Sequence, residues 1–136
     1  MRRAAPLVLI VLLLAGCTYY PTVEDTGSPR LEPKNGRLVR TAGGAVCYFE
    51  LESTGKFGDL LVAAESTAAR RVAIVAPDGA LVTNLMIPGE SRFGFRPETF
   101  KITLTELTQP LTPGDGVIVT LVFAKSGRIG VVSRVE

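Results

Sequence analysis

The sequence contains no histidine among its 136 residues. Histidine is the most common metal ligand in proteins and the only side chain that titrates near neutral pH without help from its surroundings. Its absence excludes every catalytic arrangement that pairs a serine or cysteine nucleophile with a histidine base. Two converging carboxylates are not apparent either, because the acidic residues are scattered and Glu50 and Glu52 fall on an expected solvent face. The glycines of Gly114-Asp115-Gly116 precede a strand pattern, so they lack the helix that would complete a phosphate site.

Cysteine is scarce, with one residue near the N-terminus and one in the expected domain. Cys17 follows Leu14-Ala15-Gly16, and Arg2-Arg3 precede a short apolar run. A basic segment, a short apolar run and small residues before a cysteine are typical of a bacterial lipoprotein signal. The run is too short to cross a bilayer, which takes about 20 apolar residues. The sequence therefore predicts that residues 1–16 are a signal peptide and that Cys17 carries lipid, with two or three acyl chains forming a stable membrane anchor.

No excess of one charge remains after the expected cleavage. Arg2 and Arg3 leave with the signal, so 13 Lys and Arg side chains face 13 Asp and Glu side chains. A clustered basic face of the kind that binds nucleic acid is not apparent, and no nucleic-acid partner is expected. About 120 residues remain, which suits a single domain. We expect this domain outside the cytoplasm, anchored to the outer face of the cytoplasmic membrane or in the outer membrane.

The segment after Cys17 has few apolar residues. It carries prolines at positions 21, 29 and 33 and glycines at positions 27 and 36. Such a segment cannot bury enough apolar surface to offset the entropy lost on ordering. We therefore expect residues 17–36 to form the lipidated cysteine and a flexible tether, and residues 37–136 to form the folded domain.

Long helical periodicity is absent from that domain, which reads instead as short strands between Gly and Pro turns. Phe100, Ile102 and Leu104 alternate with polar residues, which predicts a half-buried strand. In residues 117–123 both alternating sets are largely apolar, so this strand is expected to lie centrally and to be covered on both faces. Further strands are expected at residues 46–52, 59–65, 70–76, 80–85, 91–95 and 129–135, with a short helix at residues 66–69 as an open alternative. The pattern predicts an all-β sandwich.

One stretch resembles a known family, the PCu(A)C envelope copper chaperones that pass Cu(I) toward cytochrome c oxidase. The family pattern L-x-x-P-L-x-x-G-D-x-V-x-x-T-L-x-F is matched by Leu107, Pro110, Leu111, Gly114, Asp115, Val117, Thr120, Leu121 and Phe123. Two earlier segments are similar to the same family, Asp59-Leu60-Leu61-Val62 with Ala64, Ser66 and Ala69, and Ile87-Pro88-Gly89. The resemblance covers residues 45–135. It implies a cupredoxin- or immunoglobulin-like Greek-key β-sandwich.

The positions that the resemblance assigns to copper carry other residues. The family supplies a His-x-Met pair from the strand before its L-x-x-P-L motif, and this pair falls on Lys101 and Thr103. Another histidine falls on or near Val75, and only Met86 could correspond to the remaining methionine. We therefore expect no bound metal and no other cofactor.

Two soft side chains remain as weak candidates for a different copper site. Cys47 alternates with Phe49 and Leu51, which predicts a buried thiol that packs as a small apolar group. Met86 lies among apolar neighbours and is also expected in the core. Cu(I) needs at least two soft ligands.

These observations lead to one main hypothesis for function, a membrane-tethered, non-catalytic binding or accessory module associated with a respiratory or copper-handling complex of the envelope. One alternative is a copper chaperone with altered or partner-supplied ligands that delivers Cu(I) toward cytochrome oxidase. Another is an enzyme with an unrecognised site. A basic face formed by Arg92, Arg96 and Lys101 is the expected docking surface for an acidic partner. The competing interpretation is that these charges only keep a sheet face soluble.

Overall fold

The computed structural model describes residues 29–136, so the expected signal peptide, Cys17 and most of the expected tether lie outside the described residues. The described chain folds into ten β-strands: β1 (Leu31–Thr41), β2 (Gly44–Ser53), β3 (Asp59–Glu65), β4 (Ala69–Val75), β5 (Leu81–Val82), β6 (Leu85–Ile87), β7 (Ser91–Phe95), β8 (Lys101–Leu107), β9 (Gly116–Phe123) and β10 (Gly127–Val135). No helix in residues 29–136 is long and apolar enough to cross a membrane.

The strands form one continuous sheet that curls into a nearly closed sandwich. Their order across the sheet is β5-β4-β8-β2-β1-β10-β9-β3-β6, and β7 also pairs with β2. β8 pairs with the first half of β2 and β7 with the second half. β1 and β10 run parallel, which places Arg37 beside Arg134. The strands at the two ends, β5 and β6, have only two and three residues, so little unpaired edge is exposed there.

Alternate residues of these strands point into a single apolar core. Burial alternates along the whole of β2 and β9, as a period of two residues requires. The rings of Phe49 and Phe95 stack at the centre, with their centroids 4.4 Å apart. Burying a side chain of this size contributes roughly 1.5–3 kcal/mol, so the core supplies most of the favourable free energy of folding. The all-β sandwich predicted from the sequence is confirmed.

The loop between β8 and β9, which carries the family pattern, is fixed to the end of β10. Leu111 packs into the core, and Gly114 adopts a φ of 94°, a conformation that favours glycine. The N–H of Gly114 donates to the carbonyl of Val135 over 2.8 Å, and the N–H of Val135 donates to the carbonyl of Asp115 over 2.9 Å. Leu111, Gly114 and Asp115 of the pattern therefore have a structural role.

Asp59 at the start of β3 is a buried carboxylate, with 2 % of its surface exposed. It accepts hydrogen bonds from the backbone N–H groups of Leu60 at 2.8 Å, Lys125 at 2.9 Å and Ser126 at 2.7 Å. Since residues 124–126 form the turn between β9 and β10, this one side chain fixes that turn against β3. The first residue of the family-like segment at residues 59–62 is thus also structural.

The expected boundary between tether and domain at residue 37 is wrong. Leu31 already pairs with Ser53, and β1 continues to Thr41 with a bulge between Lys34 and Arg37. The prolines and polar residues of this segment concealed a strand, because the backbone of β1 pairs with β2 and β10 and only a few of its side chains need to be buried. Asn35 sits in this bulge with a φ of 56°.

Two local expectations are also corrected. Residues 67–68 form a turn, so the alternative of a short helix at residues 66–69 does not hold. β9 lies centrally, between β10 and β3, but only one of its faces is covered. Ile118 and its partner Val132 on β10 are 56 % and 70 % exposed, because the sheet closes around a single core and its outer face meets water.

Candidate functional site

The positions that would hold copper in the resembling family lie together on the outer face of β4 and β8. Val75 is registered with Lys101, and Ala73 with Thr103. Lys101 and Thr103 are partly exposed, whereas Val75 is only 9 % exposed. None of these three side chains, Val75, Lys101 and Thr103, offers a soft ligand, and the ammonium group of Lys101 repels a metal cation.

Cys47 and Met86 do not form a replacement site. Cys47 is fully buried, as predicted, and its Sγ lies 3.2 Å from Ser133 Oγ. Burial raises the pKa of the thiol to about 11, and the hydrogen bond with Ser133 offsets only part of this effect. Met86 was expected in the core, but it is 56 % exposed, because the buried residues of this short edge strand are its neighbours Leu85 and Ile87.

The two sulfur atoms point to opposite faces of the sheet and cannot share one ion. Cys47 points inward from β2, and Met86 points outward from β6, with four strands between them in the sheet order. Among residues 29–136 there is also no group of three or more histidine, cysteine, aspartate or glutamate side chains that could hold a metal. Within residues 29–136, the soft side chains of Cys47 and Met86 therefore do not converge on one position.

A row of polar side chains crosses the outer face next to these positions. Cys47 pairs with Ile102, so Tyr48 and Lys101, the adjoining residues on the two antiparallel strands, lie side by side. Tyr48 is registered with Arg37 of β1, and Arg37 with Arg134 of β10. The guanidinium of Arg37 lies 5.3 Å from the centroid of the Tyr48 ring, within the range of a cation–π contact.

A groove of about 410 Å³ opens above this row. Its lining combines two arginines, two glutamates, aromatic rings and an amide: Asn35, Arg37, Tyr48, Phe49, Glu50, Phe95, Arg96, Pro97 and Glu98. The loop after β7 forms one wall, where the N–H of Arg96 donates to Thr99 Oγ1 over 2.9 Å and Thr99 Oγ1 donates to the carbonyl of Gly94. β1 forms the other wall. The groove is concave, and its lining combines polar and apolar groups.

The three cations of the expected docking surface differ in their ion pairs. Arg92 and Arg96 each pair with an acid, whereas Lys101 pairs with no described residue. Arg92 pairs with Glu52 at 3.6 Å, and Arg96 pairs with Glu50 at 3.1 Å. Glu52 also holds Lys34 at 2.9 Å, and their hydrogen bond lowers the pKa of Glu52 and raises that of Lys34. Glu50 and Glu52 were expected to be only solvated, but they neutralise the neighbouring cations. The proposed docking role of Arg92, Arg96 and Lys101 stays a prediction.

Tyr48 and Arg37 were not among the residues singled out from the sequence. A usable signal was present for Tyr48, which is an aromatic residue on the polar side of an alternating strand. No local signal existed for Arg37, because its position beside Tyr48 depends on the pairing of β1 with β2.

The comparisons with known proteins agree with this architecture. A family profile described as LpqE-like lipoprotein matches residues 25–135. The copper-bound PCuAC domain from PmoF2 superposes with a TM-score of 0.69 at 22 % identity, covering 78 % of this chain and 92 % of that one. The apo PCuAC domain from PmoF1 gives 0.71 at 22 % identity, with the same coverage.

A third structure, Cu(I)-bound DR1885 from Deinococcus radiodurans, gives a TM-score of 0.64 at 19 % identity, covering 90 % of this chain and 83 % of that one. A search of curated proteins finds no match. Identities this low establish the fold alone, whereas the family match extends over most of the sequence. The chain therefore belongs to the LpqE-like lipoprotein family and has the fold of PCuAC domains.

Proposed function

We propose that this protein is a lipid-anchored, non-catalytic accessory protein of the bacterial envelope, which uses a PCuAC-type sandwich to bind a partner and not to carry copper. The partner in this proposal is a protein of a respiratory or copper-handling membrane complex. The family match to lipoproteins and the signal-like sequence before Cys17 support the location.

One observation carries the proposal. The outer-face positions expected to bind copper are Val75, Lys101 and Thr103, and the two remaining soft side chains point to opposite faces of the sheet. Cu(I) is held by two to four thiolate, thioether or imidazole ligands, so this arrangement supports a role that does not depend on bound copper. The absence of histidine from the whole sequence also removes the usual proton-transfer group of a hydrolase.

A competition titration tests the proposal. The mature protein and a Cu(I) chelator with a dissociation constant far below micromolar are mixed with one equivalent of Cu(I), and we expect the chelator to take all of the metal. The copper-bound PCuAC domain from PmoF2, which superposes on this chain, is the positive control. Stoichiometric retention of Cu(I) by the protein would contradict the proposal.

One feature favours the alternative of a copper chaperone that shares its ligands with a partner. The thioether of Met86 is exposed on an edge strand, where it could complete a site on another protein. If the titration retains copper, Met86→Leu and Cys47→Ala identify the ligand. Loss of binding in Met86→Leu alone would support this alternative.

A further inference from the structure

Several cations on the outer face of the sheet are matched by acids, whereas Arg71 on β4 forms no ion pair within the described residues. Besides the pairs of Glu50 and Glu52, Arg37 pairs with Glu136 at 3.6 Å, and Arg128 pairs with Glu65. Lys101 and Arg134, at the two ends of the row through Tyr48, form no ion pair with any residue that the structure describes. On the far wall of the groove, Glu98 is likewise without a cation among residues 29–136.

The spacing of these unmatched charges is defined by the sheet. Lys101 lies on β8 and Arg134 on β10, with β2 and β1 between them, so three inter-strand steps separate their backbones. At about 4.8 Å per step the separation is roughly 14 Å. Tyr48 and Arg37 fill the interval, and the groove opens directly above them.

We propose that this groove is the partner-binding site and that it takes a carboxylate-bearing segment of a protein. In this inference, which rests on the proposed function, an extended segment crosses the strands, places acidic side chains against Lys101 and Arg134, and lays an apolar or aromatic group on Tyr48. A basic group of the same segment faces Glu98. Aromatic residues and arginine in a recess, bordered by charged residues, are characteristic of binding hot spots.

The shape and the mixed charge of the groove favour a protein over the membrane surface. A bilayer is flat on this scale and cannot enter a recess between β1 and the loop after β7. Its anionic headgroups would also approach Glu50 and Glu98, which line the groove beside the cations. A polypeptide can alternate its own charges to match both signs.

Photo-crosslinking in the full-length lipidated protein, in membranes of its own host, tests this site. Benzoylphenylalanine replaces Pro97, an exposed residue on the wall of the groove, and in a matched control it replaces Ala124, an exposed residue in the turn between β9 and β10. We expect position 97 to form a protein adduct, whose crosslinked peptide contains aspartate or glutamate, and position 124 to form none with the same protein.

Charge variants in the same assay test the assigned contacts. Lys101→Glu should lower the yield of the adduct by about tenfold, since interfacial charge pairs contribute enough for such a loss, while Lys101→Arg should retain it. Lys125→Glu, the same charge change at the β9–β10 turn, is the control and should have no effect. Thermal unfolding of each variant shows that the fold is intact.

Several outcomes would overturn the site. These are an adduct from position 97 that contains only lipid, no adduct from position 97, equal adducts from both positions, or a Lys101→Glu variant with unchanged yield. A partner that crosslinks from position 124 alone would remove this site while leaving the proposed function standing. Stoichiometric Cu(I) binding in the titration would instead remove the proposed function.

Discussion

The hydrogen bonds that surround Asp59 hold the pKa of its carboxyl below the usual value. Burial on its own would raise the pKa of this carboxyl. This effect is outweighed by the side chain of Ser126 and by the N–H groups of Ser126, Lys125 and Leu60, which lower the pKa. The Ser126 hydroxyl lies near the carboxylate but makes no well-formed hydrogen bond. The net pKa lies below the usual value of 3.8. The charge therefore stabilises the folded state above the pKa of the unfolded chain, and this contribution is lost as the pH falls through the folded pKa.

Asp59→Asn should destabilise the domain by about 1–3 kcal/mol at pH 7, because an amide group has one acceptor oxygen where the carboxylate has two. The same substitution should flatten the loss of stability on acidification below about pH 4. Urea unfolding at pH 7 and at a series of pH values below about 4 measures both effects. Asp78→Asn, in the exposed turn before β5, is the matched control and should change neither. Equal acid sensitivity of Asp59→Asn and wild type would refute this account.

Cys47 should behave as a structural thiol. With its pKa raised from 9.0 to about 11, about one thiol in a thousand is ionised at pH 8, and the sulfur is shielded from solvent. Iodoacetamide should therefore modify Cys47 only as fast as the domain unfolds, which mass spectrometry follows with and without urea.

The raised pKa of Cys47 also means that the thiol contributes stability below pH 9 that is lost between pH 9 and about 11. Cys47→Ser should lack that part of the alkaline decline, and rapid labelling of the native protein would contradict the assignment.

At the scale of strands, prediction from the sequence succeeded where the signal was local. β8 and β9 follow their alternating patterns, and the turns around them carry glycine and proline where the chain reverses. β1 was missed over its whole length, Leu31–Thr41, because its stability comes from neighbours that are distant in sequence. The groove was missed for the same reason, since Arg37, Tyr48 and Arg96 come from three separate segments whose register no single stretch reveals.

The position of β1 leads to a prediction about truncation. A chain that begins at residue 29 should fold with the stability of the mature protein. A chain that begins at residue 37 loses the pairing of Leu31 to Lys34 with β2 and should be destabilised by several kcal/mol, because the edge of β2 is left with unpaired backbone groups. Urea denaturation of both chains compares them. Equal urea midpoints of the two chains would support the domain boundary at residue 37 that the sequence predicts.

At the scale of the whole molecule, the described domain has two neighbouring apolar side chains that are exposed on its outer face, Ile118 and Val132. Single exposed apolar side chains are normal in soluble proteins, and this pair is too small to mark an interface by itself. The row through Tyr48 and the groove above it form the more informative surface, because they combine a recess with the unmatched charges of Lys101, Arg134 and Glu98.

The proposed lipid anchor concerns the whole molecule, and a single substitution tests it. Cys17→Ala should leave the signal peptide in place, because lipid attachment to this cysteine precedes cleavage at the expected site. The variant should run as the longer precursor on a gel, and metabolic labelling with a fatty acid should be lost. Cys47→Ala, which removes the other cysteine, should be processed normally. Normal mature protein in the membrane fraction of Cys17→Ala would exclude the lipoprotein signal.

The pairing of β1 with β10 also determines when the domain can fold. Arg37 and Arg134 are neighbours in space but lie at opposite ends of the domain sequence. Until the last strand has emerged, from a ribosome or from an export channel, β1 and β9 each retain an open edge, and such edges are prone to pair with other chains. Contacts between residues this distant in sequence also make closure slow. We therefore expect the sandwich to close only after β10 is available and a C-terminally shortened chain to be susceptible to aggregation.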